Sequence, residues 1–155
     1  MPIMDTTASA ARLRGAIDEA ARLFAGVDEA RTTVRPAPGK WCAREVLGHL
    51  IDSACNNHRR FVLAHDPEMK QWEAYQQDPW VQAQDYAGEP WRDLVALWTA
   101  YNRHLARVMA ITPAAIATRG AASADGSQQL SVAFIMDDYV THVMHHLAQL
   151  RTLLG

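Results

Sequence analysis

The sequence predicts an all-α protein with four long helices. Apolar residues recur every three or four positions over four segments, whereas no segment shows a convincing alternation of apolar and polar residues. Prolines and glycines separate these segments and mark the connections between them. The chain has 155 residues, of which 49% are hydrophobic and 21% charged, so we expect one folded domain over residues 1–155.

The first helix is predicted over about residues 7–31. Leu13, Ile17 and Phe24 recur on one face of this segment at helical spacing, which is typical of a helix packed against a core. The following run, TTVRPAPG, contains two prolines and a glycine, so it predicts a tight connection to the next helix.

The second helix is predicted over about residues 41–65, ending at an Asp-Pro pair. Cys42 and Glu45 have the spacing of a capping box, with cysteine where serine or threonine is usual. A continuous helix would separate Cys42 from Cys55 by roughly 20 Å, which is too far for a disulfide. We therefore expect two free thiols, with Cys55 packed in the core and Cys42 at the start of the helix.

Residues 66–90 differ from the rest of the chain because they are rich in aromatic residues and glutamine. A loop of this length inside a compact domain is usually functional or forms an interface. Its aromatic residues can line a pocket, form a lid or pack against a second subunit, or they can simply cover one end of the helices. These residues are Trp72, Tyr75, Trp80 and Tyr86.

The third helix is predicted over about residues 91–111, because Pro90 precedes it and Pro113 follows it. A small, polar loop, TRGAASADGSQQ, comes next. The fourth helix is predicted from Ser131, a plausible N-cap, to about Leu154.

Three of the seven histidines have positions suited to a metal site. His142 and His146 are four residues apart, so they lie one turn apart on the same helix face. His49 lies beside the apolar stripe of the second helix and can complete a three-nitrogen site. Three protein ligands leave a position open for water or substrate, which is typical of a catalytic metal. The alternative is a bundle without metal, in which the histidines are hydrogen-bonded core residues.

The identity of the ion is left open by the ligand type. Imidazole binds zinc, nickel, copper and iron. We expect a divalent ion, with zinc first and nickel or another first-row metal as alternatives.

Other polar residues follow the same edge of the second helix. Ser53, Asn56 and Arg60 line up with His49. Asp52, one turn beyond His49, is the candidate catalytic residue, either as a general base or as a carboxylate that orients a ligand. The alternative for Asp52 is an ordinary charge on the helix surface.

Two further charged residues have two interpretations each. Asp138, one turn before His142, can also serve as a general base or as a carboxylate that orients a ligand. Arg60 can bind an anionic cosubstrate or pair with a buried acid, and we expect the ion pair.

Three runs of the sequence resemble the DinB-like superfamily of four-helix metal proteins. GKWCAREVLGHLIDSACNNHRRF is similar to the opening motif of that superfamily, and YVTHVMHHLAQL is similar to its last-helix motif. EAYQQDPWVQ resembles the aromatic Asp-x-Trp segment of the YfiT-like branch, described as metal-dependent hydrolases and bacillithiol transferases. The resemblance covers nearly the whole chain after residue 35.

The resemblance implies an antiparallel four-helix bundle with an unusual connection order, often dimeric, and metal ligands at His49, His142 and His146. It also implies a small-molecule substrate, with a low-molecular-weight thiol as one candidate. The enzyme would then be a metal-dependent thiol S-transferase or hydrolase. The competing hypothesis is a non-catalytic, stress-associated binding or dimerisation bundle with a structural metal or none.

Composition argues against two classes of partner. The formal net charge is -2 and no run of Lys or Arg occurs, so we expect no nucleic acid. No apolar stretch is long enough for a membrane span, and the first residues lack the apolar centre of a signal peptide. We expect a cytoplasmic protein, and the aromatic loop and exposed apolar positions favour a homodimer.

Overall fold

The computed structural model describes residues 4–155, and four long helices form a bundle, as predicted. The described elements are, in chain order, α1 Thr6–Phe24, a 3-10 helix Glu29–Thr33, α2 Ala43–Leu63, α3 Gln77–Gln84, a 3-10 helix Tyr86–Gly88, α4 Trp91–Ile111, α5 Ala114–Ala117, β1 Gly120–Ala122, β2 Gln129–Ser131 and α6 Val132–Leu154. Within residues 4–155, no helix combines the length and apolar character needed to cross a bilayer.

The long helices do not follow one another around the bundle. Helices α1 and α2 each pack against both α4 and α6. Consecutive helices α1 and α2 therefore lie across the bundle from each other, as do α4 and α6. This order places α2 beside α6, the two helices that carry the predicted metal ligands.

The first helix is shorter than predicted, because it ends at Phe24 rather than near residue 31. Ala25 takes an extended conformation, and Gly26 has a φ of 68°, in the left-handed region that favours glycine. A separate 3-10 helix then begins after Asp28, whose side chain accepts a hydrogen bond from the Ala30 N–H at 3.0 Å. The prediction missed this break because residues that favour a helix, Glu29, Ala30 and Arg31, follow shortly after the glycine.

The start of α2 has the predicted reciprocal cap. The Glu45 carboxylate accepts a hydrogen bond from the Cys42 N–H at 2.9 Å, and Arg35 donates two hydrogen bonds to Glu45 at 2.6 and 2.8 Å. Both cysteines are free thiols, as predicted, but the prediction that Cys55 packs in the core is wrong. Cys42 is buried and Cys55 exposed, because Cys55 is rotated about 100° from the buried Ala54.

Short elements occupy both segments that we expected to be loops. Helix α3 and a 3-10 helix form within residues 66–90, and β1 pairs antiparallel with β2 in the register Gly120↔Ser131. Strands of three residues are too short for an alternating pattern to appear in the sequence. Ser131 caps α6 as predicted, since its hydroxyl accepts a hydrogen bond from the Phe134 N–H at 3.1 Å.

The core between the helices is apolar and aromatic. Phe61, Trp98 and Tyr139 are almost fully buried, and burial of such a side chain contributes about 1.5–3 kcal/mol. The Tyr139 hydroxyl donates a hydrogen bond to the Asn102 side-chain oxygen at 2.5 Å, so the buried polar atoms of this pair are satisfied.

Gly48 on α2 is a point of close approach. A Cβ atom at this position would overlap the ring of Tyr86, which is buried against the helix. The Tyr86 hydroxyl donates a hydrogen bond to Asp52 at 2.7 Å. Glycine at residue 48 therefore allows the segment before α4 to pack directly on α2, next to His49.

Replacement of Gly48 by alanine should destabilise the protein. We expect the Gly48→Ala variant to lose about 1–3 kcal/mol of free energy of unfolding, because the Tyr86 ring must move and its hydrogen bond to Asp52 is lost. Thermal and urea unfolding followed by circular dichroism measures the change. Gly15→Ala is the matched control, since a Cβ on this exposed α1 residue meets nothing within 4 Å. It should gain roughly 0.5–1 kcal/mol from helix propensity. Equal effects of the two substitutions would contradict this account.

Candidate metal centre

The structure brings the three predicted ligands together between α2 and α6. His49, His142 and His146 each offer a ligand atom, and these atoms all lie within 4.8 Å of one another. The Nε2 atoms of His49 and His142 are 3.2 Å apart. His49 is 2% exposed, while the two histidines of α6 are partly exposed. Packing of the two helices thus joins residues that are almost a hundred positions apart in the chain.

The spacing of one pair of these nitrogens matches a first-row metal ion. Zinc–nitrogen bonds are about 2.0–2.1 Å long, so two ligands of a tetrahedral ion are separated by about 3.3 Å. The 3.2 Å between the His49 and His142 nitrogens is close to that value. The remaining ligand atoms lie within 4.8 Å of one another, so movements of the His146 side chain would bring all three imidazoles to one ion.

The second nitrogen of His146 is held by its own helix. His146 Nδ1–H donates to the side-chain oxygen of Gln149, 2.8 Å away and one turn further along α6. This hydrogen bond leaves the Nε2 lone pair of His146 free to bind a metal. A partner of this kind fixes the tautomer and the orientation of the ring.

The other two imidazoles have corresponding partners. His142 Nδ1 lies 3.3 Å from the Ser53 hydroxyl of α2, and His49 Nδ1 lies 3.4 Å from the Tyr75 hydroxyl. The Nε2 atoms of both rings face each other. All three rings thus direct the same nitrogen to the centre and have an oxygen at the other nitrogen.

Burial keeps these imidazoles neutral. Loss of solvation, followed by the nearby imidazoles of His146 and His142, lowers the pKa of His49 to about 3. Loss of solvation, with smaller contributions from His146 and His145, lowers the pKa of His142 to about 4. The pKa of His146 is also lowered, mainly by burial. Neutral imidazole is the form that binds a metal, so the lone pairs are available at neutral pH.

A cavity of about 460 Å³ opens beside His49 and His142. Its wall includes the polar residues predicted to lie along one edge of α2, namely Ser53, Asn56 and Arg60. Asp138 of α6 and Tyr75 line the same cavity. The histidine centre therefore borders a space large enough for a small molecule.

A second cavity of about 590 Å³ lies near the histidines, although none of the three lines it. Lys40, Trp41 and Gln149 line it, and Gln77 lines both cavities. The Trp41 ring packs against the ring of His49, with 5.2 Å between the two centroids. Gln149, which bonds to His146, lines the same cavity, so the second space is separated from the histidines by the Trp41 and Gln149 side chains.

Asp52 lies outside the first cavity. It is 3% exposed, so the interpretation as a surface charge is wrong. Its Oδ1 accepts hydrogen bonds from Tyr86 at 2.7 Å and Gln84 at 2.8 Å, while its Oδ2 is buried without a partner in the described chain. Burial raises its pKa. These contacts attach α3 and the following turn to α2, and the catalytic role of Asp52 stays a prediction.

The expected ion pair of Arg60 does not form with any acidic residue of the described chain. Its guanidinium donates instead to the Glu73 carbonyl oxygen, at 2.7 Å from Nε. Asp138 is exposed at the edge of the same cavity, so its predicted position near the histidines is consistent with the structure.

The aromatic residues of the 66–90 segment have different roles. Trp72 and Tyr86 pack in the core, and the Trp72 indole N–H donates to the Leu130 carbonyl at 3.0 Å. Tyr75 contacts His49 and stacks near Trp80, with 4.8 Å between the ring centroids. Sequence reasoning left the role of Tyr75 open, because no local spacing relates it to the histidines.

Comparison with known proteins agrees with this architecture. The family model of the DinB superfamily matches residues 12–150. A Bacillus mycoides (strain KBAB4) protein named "Putative metal-dependent hydrolase" is 25% identical over 136 residues, which are 88% of this chain and 78% of that protein. "Putative metal-dependent hydrolase YfiT" of Bacillus subtilis (strain 168) is 28% identical over 116 residues, covering 74% of this chain and 65% of that protein.

A solved structure shows the same fold. The structure of YfiT from Bacillus subtilis is described as that of a probable metal-dependent hydrolase with an unusual four-helix bundle topology. It superposes with a TM-score of 0.83 at 20% identity, covering 96% of this chain and 85% of that chain. At this identity the likeness establishes the arrangement of helices.

Removal of two histidines should abolish metal binding. We expect wild-type protein, purified without a histidine tag, to bind about one divalent ion per chain, because its three imidazoles fit one ion. The double variant His142→Ala/His146→Ala should bind less than about a tenth of that amount. Elemental analysis after dialysis against zinc or nickel measures the ratio. His65→Ala is the control, because His65 is exposed, lies beyond the end of α2 and is not one of the three clustered histidines. Unchanged binding in the double variant would refute the ligand assignment.

The hydrogen bond between His146 and Gln149 should strengthen metal binding. We expect Gln149→Leu to weaken metal binding about tenfold, because the Nδ1–H of His146 loses its acceptor and the ring becomes free to turn. Competition with a chromophoric chelator measures the dissociation constant. Gln82→Leu, on the exposed face of α3, is the control. A Gln149→Leu affinity equal to that of the control would show that this hydrogen bond does not orient the ligand.

Proposed function

Because the chain belongs to the DinB superfamily, we propose that it is a metal-dependent enzyme in which His49, His142 and His146 hold one divalent ion. The observation that carries this proposal is the convergence of three neutral imidazoles beside a cavity of about 460 Å³. A structural ion usually has four protein ligands, whereas three leave a position for a substrate atom. The names of two relatives, which refer to metal-dependent hydrolases, support metal dependence.

The proposed ion is zinc, with nickel or another first-row metal as the alternative. Neutral nitrogen ligands suit all these ions, and the 3.2 Å nitrogen separation is compatible with the bond lengths of zinc. The cellular supply of each metal then decides which ion is bound.

The proposed reaction transfers a low-molecular-weight thiol to an electrophilic carbon. His49, His142 and His146 would hold the ion, which would lower the pKa of a thiol so that a thiolate is present at neutral pH. The sulfur forms a bond to the carbon, the leaving group departs with the electron pair of the bond that breaks, and the thiol proton passes to solvent. Trp41 and Tyr75 contact His49 and help to fix the position of its ring.

Two features of the site support transfer. His49 and His142 line the first cavity, and the second cavity shares Gln77 with it, so two reactants can occupy neighbouring spaces. In addition, the buried carboxylate of Asp52 is bound to Tyr86 and Gln84 rather than directed into the first cavity. A bound ion would have to lower the pKa of a thiol, ordinarily about 8.5, much less than that of water, about 15.7, so thiol transfer depends less on a general base.

Hydrolysis is the second candidate, and one observation favours it. The Asp138 carboxylate lines the cavity beside His142, where it can accept a proton from an attacking water. The names of the two relatives point in the same direction.

We further propose that the protein is cytoplasmic. We also propose that it forms a homodimer, because large apolar side chains such as Val62, Leu97 and Met144 are exposed and can contribute to an interface.

Thiol transfer is tested with monochlorobimane, which becomes fluorescent when a thiol displaces its chloride. We expect metal-loaded protein to accelerate the reaction of at least one member of a panel of cellular thiols, because the bound thiol is deprotonated at neutral pH. Treatment with a chelator and the double variant His142→Ala/His146→Ala should each remove at least about nine-tenths of the rate, since both remove the ion. His65→Ala should retain full activity.

The two candidate reactions give different outcomes. A metal-dependent rate with a thiol and none with p-nitrophenyl acetate supports transfer. The reverse result supports hydrolysis, and Asp138→Asn should then slow it by about a hundredfold or more. A protein that binds metal but accelerates neither reaction would favour the non-catalytic alternative.

A further inference from the structure

Arg60 is a cation without an anionic partner in a cavity wall. No acidic side chain of residues 4–155 forms an ion pair with it. The neighbouring Arg59 differs, because it is exposed and pairs with the Glu73 carboxylate. Arg60 is only partly exposed and lines the same cavity as His49 and His142. A partly buried guanidinium has lost part of its hydration, so it interacts strongly with an anion that binds in the cavity beside it.

The orientation of Arg60 is held by the protein. Its Nε and one terminal nitrogen donate to the Glu73 carbonyl oxygen, and the other terminal nitrogen lies 3.5 Å from the Asn57 side-chain oxygen. A guanidinium has five N–H donors, so these three contacts leave one donor on each terminal nitrogen. Two donors on a fixed planar group match the two oxygens of a carboxylate, and little side-chain freedom remains to be lost.

The surroundings of Arg60 favour one negative group. Amide side chains of Asn56, Gln76 and Gln77 line the cavity and can donate further hydrogen bonds. Asp138 is the only acidic residue among the residues that line this cavity. The Asp138 carboxylate repels an anion in the cavity, but it forms no ion pair with Arg60. The positive charge of Arg60 therefore stays available to a ligand.

We propose that Arg60 forms a carboxylate-binding subsite of the histidine cavity and selects elongated substrates that carry an acidic group. This inference rests on the proposed function for the position of the other end of the substrate, at the three histidines. His49 and Arg60 are eleven residues apart on α2, which separates their Cα atoms by about 16 Å. The Arg60 side chain spans part of this distance, and a molecule that contacts both the guanidinium and the histidines spans the rest.

The first experiment tests the subsite without metal. Metal-free protein is titrated with succinate and with its neutral diamide, succinamide, and the side-chain Nε–H resonance of Arg60 is followed by NMR. We expect saturable binding of succinate at least about tenfold tighter than that of succinamide, because a charge-assisted pair is lost in the diamide. Equal binding of both compounds, or no response of the Arg60 resonance to succinate, overturns the proposal.

Variants separate the role of Arg60 from that of general charge. Affinities are measured by calorimetry. Arg60→Gln should weaken succinate binding at least about tenfold, whereas Arg59→Gln, which removes the same charge from the adjacent exposed position, should change it less than about twofold. Asp138→Asn should strengthen binding, because an opposing charge is removed. An Arg60→Gln affinity equal to that of wild type overturns the proposal.

The experiment needs a control for folding, because Arg60 also donates hydrogen bonds to the Glu73 carbonyl oxygen. Arg60→Lys keeps the charge and is expected to recover part of the succinate affinity lost in Arg60→Gln. Circular dichroism and the unfolding temperature are recorded for all four variants. If Arg60→Lys binds succinate no better than Arg60→Gln although it folds normally, the charge is not the determinant and the proposal fails.

The second experiment uses metal-loaded protein and monochlorobimane. Glutathione and its diethyl ester are compared as thiols, because esterification removes both carboxylates. We expect Arg60→Gln to raise KM for glutathione about tenfold or more while leaving KM for the diester within about twofold. Equal effects on both thiols contradict the proposal. Absence of any turnover, together with normal succinate binding at Arg60, would instead count against the proposed function and leave the subsite supported.

Discussion

The packing of α2 against α6 places three polar rings where two helices meet, and the surrounding structure satisfies them. A buried polar atom without a partner costs about 1–3 kcal/mol, so each imidazole needs contacts for both nitrogens. Gln149, one turn after His146 on α6, accepts a hydrogen bond from that ring. Ser53 of α2 and Tyr75 of the following segment lie beside the other two rings. The inner nitrogens remain for an ion, and this links the bundle to its proposed chemistry.

The segment between α2 and α4 completes the centre because it is attached at several points. The Trp72 indole bonds to the backbone of β2, and Arg60 bonds to the Glu73 carbonyl. Further along, Tyr86 lies over Gly48 and bonds to Asp52. These attachments hold Tyr75 between them at the cavity wall. A loop that the sequence marks only by its composition is thus a structural part of the proposed active site.

Elements with strong local signals were predicted well, and elements without them were not. Helix α4 runs over residues 91–111 as predicted, because prolines mark both ends and its apolar residues repeat regularly. The first helix was predicted too long, since a single glycine decides where it ends. Cys55 was misplaced because a shift of one residue turns a side chain from core to solvent. The hairpin of β1 and β2 was missed because its strands contain three residues each.

The sequence by itself determined the all-α fold, the pair His142 and His146, and the polar edge of α2, because helical periodicity relates residues a few positions apart. It suggested His49 through its position beside the apolar stripe of the second helix, and family motifs gave the same residue. Only the tertiary structure decided that His49 meets the other two, that Asp52 is bound away from the first cavity, and that Arg60 has no acidic partner among the described residues. These relations depend on how distant segments pack, which no local pattern records.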